Sequence, residues 1–176
     1  MRIITVSGAG SGVGKTTLAV LLLSRLKGYA AIKVTGTDFF ASVTDSPEAI
    51  EVEGKDTALM KKAGASHVVW VQCPPEDINE TLPLAMSLIG DVPGVIIEGN
   101  SPLKAVRPDT AFFVIGKDGE LKPGAQEALS MADIVVVNAD AIDDKVVKMI
   151  REHNGKAEIT TMENLKGSEE FFASIA

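Results

Sequence analysis

Ile3-Ile4-Thr5-Val6-Ser7-Gly8-Ala9-Gly10-Ser11-Gly12-Val13-Gly14-Lys15-Thr16-Thr17 runs from a β-branched apolar stretch through a glycine-rich turn to a lysine and two threonines heading an amphipathic segment. Strand, glycine loop and helix in that order form the setting in which such a turn holds phosphate. Glycines allow successive backbone N–H groups to turn inward around phosphate oxygens. The helix start adds its unpaired N–H groups and the positive end of its dipole. Ala9, Gly10, Ser11, Gly12, Val13, Gly14, Lys15, Thr16 and Thr17 are therefore expected to cradle a nucleoside triphosphate. Lys15 is expected to reach the β- and γ-phosphates, Thr16 to place its hydroxyl on Mg²⁺, and Thr17 to approach the α-phosphate. The pattern G-x-x-x-x-G-K-[ST] begins with glycine where this chain has Ala9, a familiar variant flanked here by Gly8 and Gly10. The bland alternative is a glycine-rich turn with no ligand; the lysine, the threonine and both flanking elements speak against it.

Outward from the loop, short β-branched runs alternate with helical patterns. Ile3–Val6, Ala30–Val34, Val68–Val71, Val95–Ile97, Ala111–Ile115 and Ile134–Val137 read as strands, with Ala157–Thr160 as a further edge strand. Lys15–Lys27, Lys55–Ala63, Ile78–Ile89, Gly124–Met131 and Ala141–His153 read as helices. Runs apolar on both faces are strands covered by helices on each side, as in parallel sheets. The expectation is a single-domain, doubly wound α/β P-loop fold over residues 1–176, mainly parallel, with the strand ending at Glu98 beside the strand ending in the loop. Thr35–Gly54 lacks periodicity and is polar and acidic, so it reads as a long irregular loop of the functional or mobile kind. Met162–Ala176 reads as an ambiguous tail with a short helix near Phe171 and Phe172.

Composition narrows the partners. A net charge of -7 argues against nucleic acid or an anionic membrane surface, so any bound anion must be held by local geometry. Cys73 is the only cysteine, which rules out an internal disulfide. The opening residues lead straight into the glycine loop without the pattern of a signal peptide, and no run is long and apolar enough to span a bilayer. A cytoplasmic protein is the expectation.

A phosphate loop needs a carboxylate to anchor Mg²⁺, usually at the end of a neighbouring buried strand. Val95-Ile96-Ile97-Glu98-Gly99 supplies one, since the C-terminal edge of a buried strand faces the ligand crevice. The plain alternative is that Glu98 marks where the strand meets solvent. Asp38, beyond Ala30–Val34, is a second candidate for holding the metal or orienting the attacking water. Asp56 is a third, although an aspartate there also suits the first turn of a helix. Lys33 ends a buried strand beside the crevice and is a candidate contact for a phosphate or substrate anion, or simply a solvated strand end.

Ile32-Lys33, Gly54-Lys55-Asp56-Thr57, Ala63-Gly64-Ala65 and Glu98-Gly99, together with the loop, resemble the MobB family, the adaptors of molybdopterin-guanine dinucleotide biosynthesis. The resemblance covers roughly residues 1–100 and rests chiefly on G-K-D-T followed by A-G-A. MobB proteins continue the I-K strand with histidines, whereas this chain reads Val34-Thr35-Gly36-Thr37-Asp38. That stretch and Val95–Gly99 are similar to dethiobiotin synthetase, which differs in partner and acceptor. The MobB resemblance implies GTP and Mg²⁺, weak GTPase activity, a homodimer, and molybdopterin or a cofactor-biosynthesis protein as partner. The dethiobiotin synthetase similarity implies an ATP-dependent kinase or ligase, with Lys33, Thr35, Thr37 and Asn100-Ser101 lining an acceptor pocket. A metal-insertion GTPase is the third reading. In the first of these Lys15 stabilises the transferring phosphoryl, Thr16, Glu98 and Asp38 serve the metal, and Asp38 or Asp56 positions water.

Asn138-Ala139-Asp140 resembles the N-K-x-D guanine reader without its lysine and with one residue too few. Asn138 could bind either purine, or the stretch could be a strand-end turn capping a helix at Ala141. ATP thus stays open beside GTP. Cys73 before Pro74-Pro75 lacks companion ligands and reads as a buried thiol. His67 and His153 do not read as ligands, and Trp70 reads as core.

Overall fold

The computed structural model describes all 176 residues. Strands β1 (Arg2–Gly8), β2 (Ala30–Gly36), β3 (Ser42–Thr44), β4 (Val68–Cys73), β5 (Gly94–Glu98), β6 (Thr110–Gly116), β7 (Ile134–Asn138) and β8 (Glu158–Thr161) form one sheet in the order β3-β4-β2-β5-β1-β6-β7-β8. All neighbours pair parallel except β3, which joins β4 antiparallel. Each of the seven apolar runs forms a strand close to its expected ends. The strand ending at Glu98 does lie beside the strand leading into the loop, with Val6 opposite Glu98.

Helices cover both faces, as apolar runs without alternation require. On one face α1 (Lys15–Arg25) and α3 (Asp56–Lys62) bury Leu18, Leu22, Leu23 and Met60 against Ile4, Val6, Ile96 and Ala31. On the other, α4 (Ile78–Leu88) packs Ile78, Leu82 and Ala85 on Ile32, Val95 and Ile97. Beside it, α5 (Ala125–Ser130) and α6 (Asp144–His153) cover Phe113, Val135 and Val137. Alternation along each strand decides the face. Lys33 is two residues from Ala31 and Glu98 two from Ile96, so both belong to the α1 and α3 face, where the glycine loop also ends.

Three sequence expectations need correction. Thr35–Gly54 is not structureless: it holds β3 and the short helix α2 (Pro47–Ile50), with Ile50 buried. A three-residue strand and a single-turn helix are too short to show a period. The segment is pinned by non-local bonds, Thr57 Oγ1 to the Ile50 carbonyl at 2.8 Å and His67 Nε2 to Asp45 Oδ2 at 3.0 Å. The helix expected from Ala141 begins at Asp144, because the Asp143 carboxylate accepts from the Lys145 N–H at 2.7 Å and caps it there. The tail forms two helices, α7 (Met162–Gly167) and α8 (Glu169–Ile175). Phe172 and Ile175 enter the core, and the Phe171 ring meets Phe112 edge-on at 6.0 Å. No helix is long and apolar enough to cross a membrane.

Candidate functional site

The loop between β1 and α1 has the backbone its glycines anticipate. Gly12 and Gly14 have φ of 75° and 105°, a region that L side chains avoid, while Ala9 needs no such freedom. Ala9 is buried and its N–H donates to the Val114 carbonyl at 2.9 Å, so a methyl is tolerated where the pattern has glycine. Gly14 forms the N-cap of α1. A Cβ there would also stand 2.7 Å from the Asn138 amide nitrogen, which donates to the Val13 carbonyl at 3.0 Å. Asn138 thus braces the loop from the end of β7.

A second brace comes from Asn100, which the sequence reading offers only as an acceptor-pocket residue. The Asn100 carboxamide accepts from the Gly8 N–H at 2.8 Å and donates to the Gly8 carbonyl at 2.9 Å, stitching the end of β5 to the start of the loop. Only the β1–β5 pairing brings these residues together.

A cleft of about 360 Å³ opens at the head of α1, lined by Ser11, Gly12, Gly14, Lys15, Thr16, Thr17, Lys33, Asp56 and Glu98. Glu98 is almost wholly buried. The Thr16 hydroxyl lies 3.2 Å and 3.1 Å from its two carboxylate oxygens. Register explains the rest, since Glu98 stands opposite Val6 on one side and Lys33 on the other. Adjacent strands are about 4.8 Å apart, so the Lys33 ammonium reaches Glu98 Oε1 at 2.5 Å. Asp56, the first residue of α3, closes on the same ammonium at 2.6 Å. Lys33, read from sequence as a contact for an external anion, is thus held by two internal carboxylates.

The two lysines of the cleft have opposite electrostatics. Burial pulls the Lys15 ammonium below the ordinary lysine range; the nearby charges of Lys33 and Lys122 push the same way, against Glu98 and Asp56. Its Nζ donates to the Gly10 carbonyl. Burial pulls Lys33 down as well, but the charge of Glu98 and the hydrogen bonds to Asp56 and Glu98 outweigh it and raise Lys33 above the usual range. For Asp56, burial works upward and is outweighed by Lys33, the Thr16 hydroxyl and Lys15, so the carboxyl lies below the usual aspartate range.

Of the sequence candidates, Lys15, Thr16, Glu98 and Asp56 converge. Asp38 lies exposed between β2 and β3 and does not line the cleft. Trp70 is only half-buried and donates from its ring nitrogen to Thr35 Oγ1 at 3.0 Å. Cys73 is buried and accepts from the Thr81 hydroxyl at 3.3 Å. No three His, Cys, Asp or Glu side chains stand together as a metal-ligand group. The donors that do converge, a hydroxyl and two carboxylates beside a phosphate loop, are hard oxygen ligands and fit Mg²⁺.

No family model matches the chain, and no curated protein matches it in sequence. Among solved structures it is similar to the hydrogenase maturation factor HypB from Archaeoglobus fulgidus, at 16% identity and a TM-score of 0.59, over 99% of this chain and 88% of that one. HypB from Helicobacter pylori in complex with nickel is similar at 14% identity and a TM-score of 0.56, over 99% of this chain and 86% of that one. At these identities the likeness establishes the fold: a P-loop α/β architecture extending over nearly the whole chain.

Proposed function

We propose that this chain is a Mg²⁺-dependent nucleoside triphosphatase with GTP as its substrate, acting as a MobB-like adaptor in molybdenum cofactor maturation. The observation that carries the first part is the Thr16 hydroxyl set against the buried Glu98 carboxylate one residue after the loop lysine. In this reading the loop amides and Lys15 bind the β- and γ-phosphates and favour the charge that develops on transfer. Thr16 and Glu98 would hold Mg²⁺, which when bound would supply positive charge to the phosphate oxygens. Asp56 at the cleft edge orients the water. That water attacks the γ-phosphorus, the bond to the β-phosphate oxygen breaks, and the diphosphate, inorganic phosphate and one proton leave. Lys33 pairs with both carboxylates and fixes their positions.

Preference for GTP and the adaptor role come from the resemblance carried by Gly54-Lys55-Asp56-Thr57 and Ala63-Gly64-Ala65. The likeness to HypB favours a second reading, a metal-insertion GTPase. Against it stand the buried Cys73 and the lack of a converging ligand group. Hydrolysis and binding of GTP and ATP, with and without Mg²⁺, molybdopterin and nickel, tests both. The adaptor reading expects Mg²⁺-dependent GTP turnover that responds to molybdopterin and not to nickel. Absence of triphosphate binding would sink the nucleotide assignment, and a nickel response would favour the second reading.

A further inference from the structure

The segment joining β6 to α5 folds back over the phosphate loop. The Lys122 N–H donates to the Ala9 carbonyl at 2.9 Å. The Lys122 side chain crosses Gly10 so closely that a Cβ on Gly10 would lie 3.3 Å from its γ, δ and ε carbons. Residue 122 is therefore fixed to the loop twice, by backbone and by stem, and the missing side chain of Gly10 is what lets the stem pass. The ammonium beyond that stem takes part in none of the ion pairs of the chain. Such freedom is notable in a protein of net charge -7, with seven more acids than bases. Inside the cleft the charges are unevenly spent: Lys33 is committed to Glu98 and Asp56, which leaves Lys15 as the one lining cation without a carboxylate partner. Charge spreading over the transferring phosphoryl and its leaving oxygen is best met by more than one preorganised donor.

We propose that Lys122 is a second substrate-contacting cation of this site, supplied by the same chain: with a triphosphate bound, its ammonium turns from the stem anchored on Gly10 to donate to the phosphate chain. The proposal rests on the triphosphatase reading above. Lys122→Met keeps most of the stem and removes the charge, Lys122→Ala removes both, Lys122→Arg restores a cation, and Gly10→Ala displaces the stem. The readouts are kcat for GTP hydrolysis, the ratio of Kd for GDP to Kd for a non-hydrolysable GTP analogue with Mg²⁺, and the melting temperature. The expected result is a roughly 10- to 100-fold fall in kcat for Lys122→Met, with a smaller triphosphate preference and an unchanged melting temperature. Partial rescue by Lys122→Arg and a loss in Gly10→Ala are expected beside it. If Lys122→Met behaves as wild type, whether or not Lys122→Ala is impaired, the cation does not contact substrate and the proposal is overturned. A wild-type protein that binds no triphosphate would overturn the triphosphatase reading itself, a result distinguishable from normal turnover in Lys122→Met.

Discussion

Lys15 and Lys33 share one cleft and are both half-buried, yet their surroundings make them opposites. On the loop side, Lys15 has a backbone carbonyl and no carboxylate partner, and burial lowers its affinity for a proton. On the acidic side, Lys33 is clamped between Glu98 and Asp56 and keeps its proton more tightly than a free lysine. A buried cation without an ionic partner is costly and is normally removed or paired. Its retention at the head of a phosphate loop is what a site for an external polyanion requires. The lysine with two partners does structural work, positioning the carboxylates.

The largest effect that separates the two sides is on affinity. Lys15→Ala should weaken Mg²⁺–triphosphate binding by roughly 100-fold, the equivalent of about 3 kcal/mol for charge-assisted contacts, without lowering the melting temperature. Titration and thermal melting of both proteins check this, and equal affinity would erase the distinction. Glu98→Gln should act in the other direction, slowing Mg²⁺-dependent hydrolysis about tenfold or more and leaving Mg²⁺-independent nucleotide binding nearly intact. Hydrolysis at the wild-type rate across a magnesium titration would reduce Glu98 to a strand end.

Amine-reactive labelling of the free protein at mildly alkaline pH compares the lysines directly. Lys15 should lose its proton first and be modified well before Lys33, and the reverse order would contradict the assigned electrostatics. The sign for stability follows from the same shifts. The raised Lys33 contributes fully below the ordinary lysine pKa and is lost as pH rises through its own higher value. The lowered Asp56 contributes above the ordinary aspartate pKa and is lost as pH falls through its own lower value. The pair therefore stabilises a broad window around neutrality, which Asp56→Asn should narrow in a series of melts against pH. The smallest effect is expected for Asn100→Ala. Removing both hydrogen bonds to Gly8 should cost about 1–2 kcal/mol, read by denaturant unfolding, with a modest loss of nucleotide affinity as the loop loosens.

The loop side was legible in sequence because its information is local: glycines, lysine and threonines are consecutive, and strand and helix flank them. Glu98 was legible for a similar reason, as an acid ending a buried run. The acidic side was not. Lys33 drew attention as a strand-end cation, but its partners depend on the β2–β5 register and on where α3 begins, neither of which a single strand encodes. Asn100, read from sequence only as lining an acceptor pocket, and Lys122, not singled out at all, reach the loop through equally non-local pairings. Asp38 illustrates the converse: a suitable residue type at a suitable strand end, carried into solvent once the chain turned away. In Thr35–Gly54 the elements were too short for periodicity to register.

The division of labour between the two sides is tested most directly by the linkage between Mg²⁺ and triphosphate affinity, measured by calorimetric titration of a non-hydrolysable GTP analogue into wild type and Glu98→Gln, each in magnesium and in chelator. The account predicts that magnesium strengthens binding to wild type, that the gain largely disappears in Glu98→Gln, and that affinity in chelator is the same for both. An undiminished magnesium gain in Glu98→Gln would contradict it.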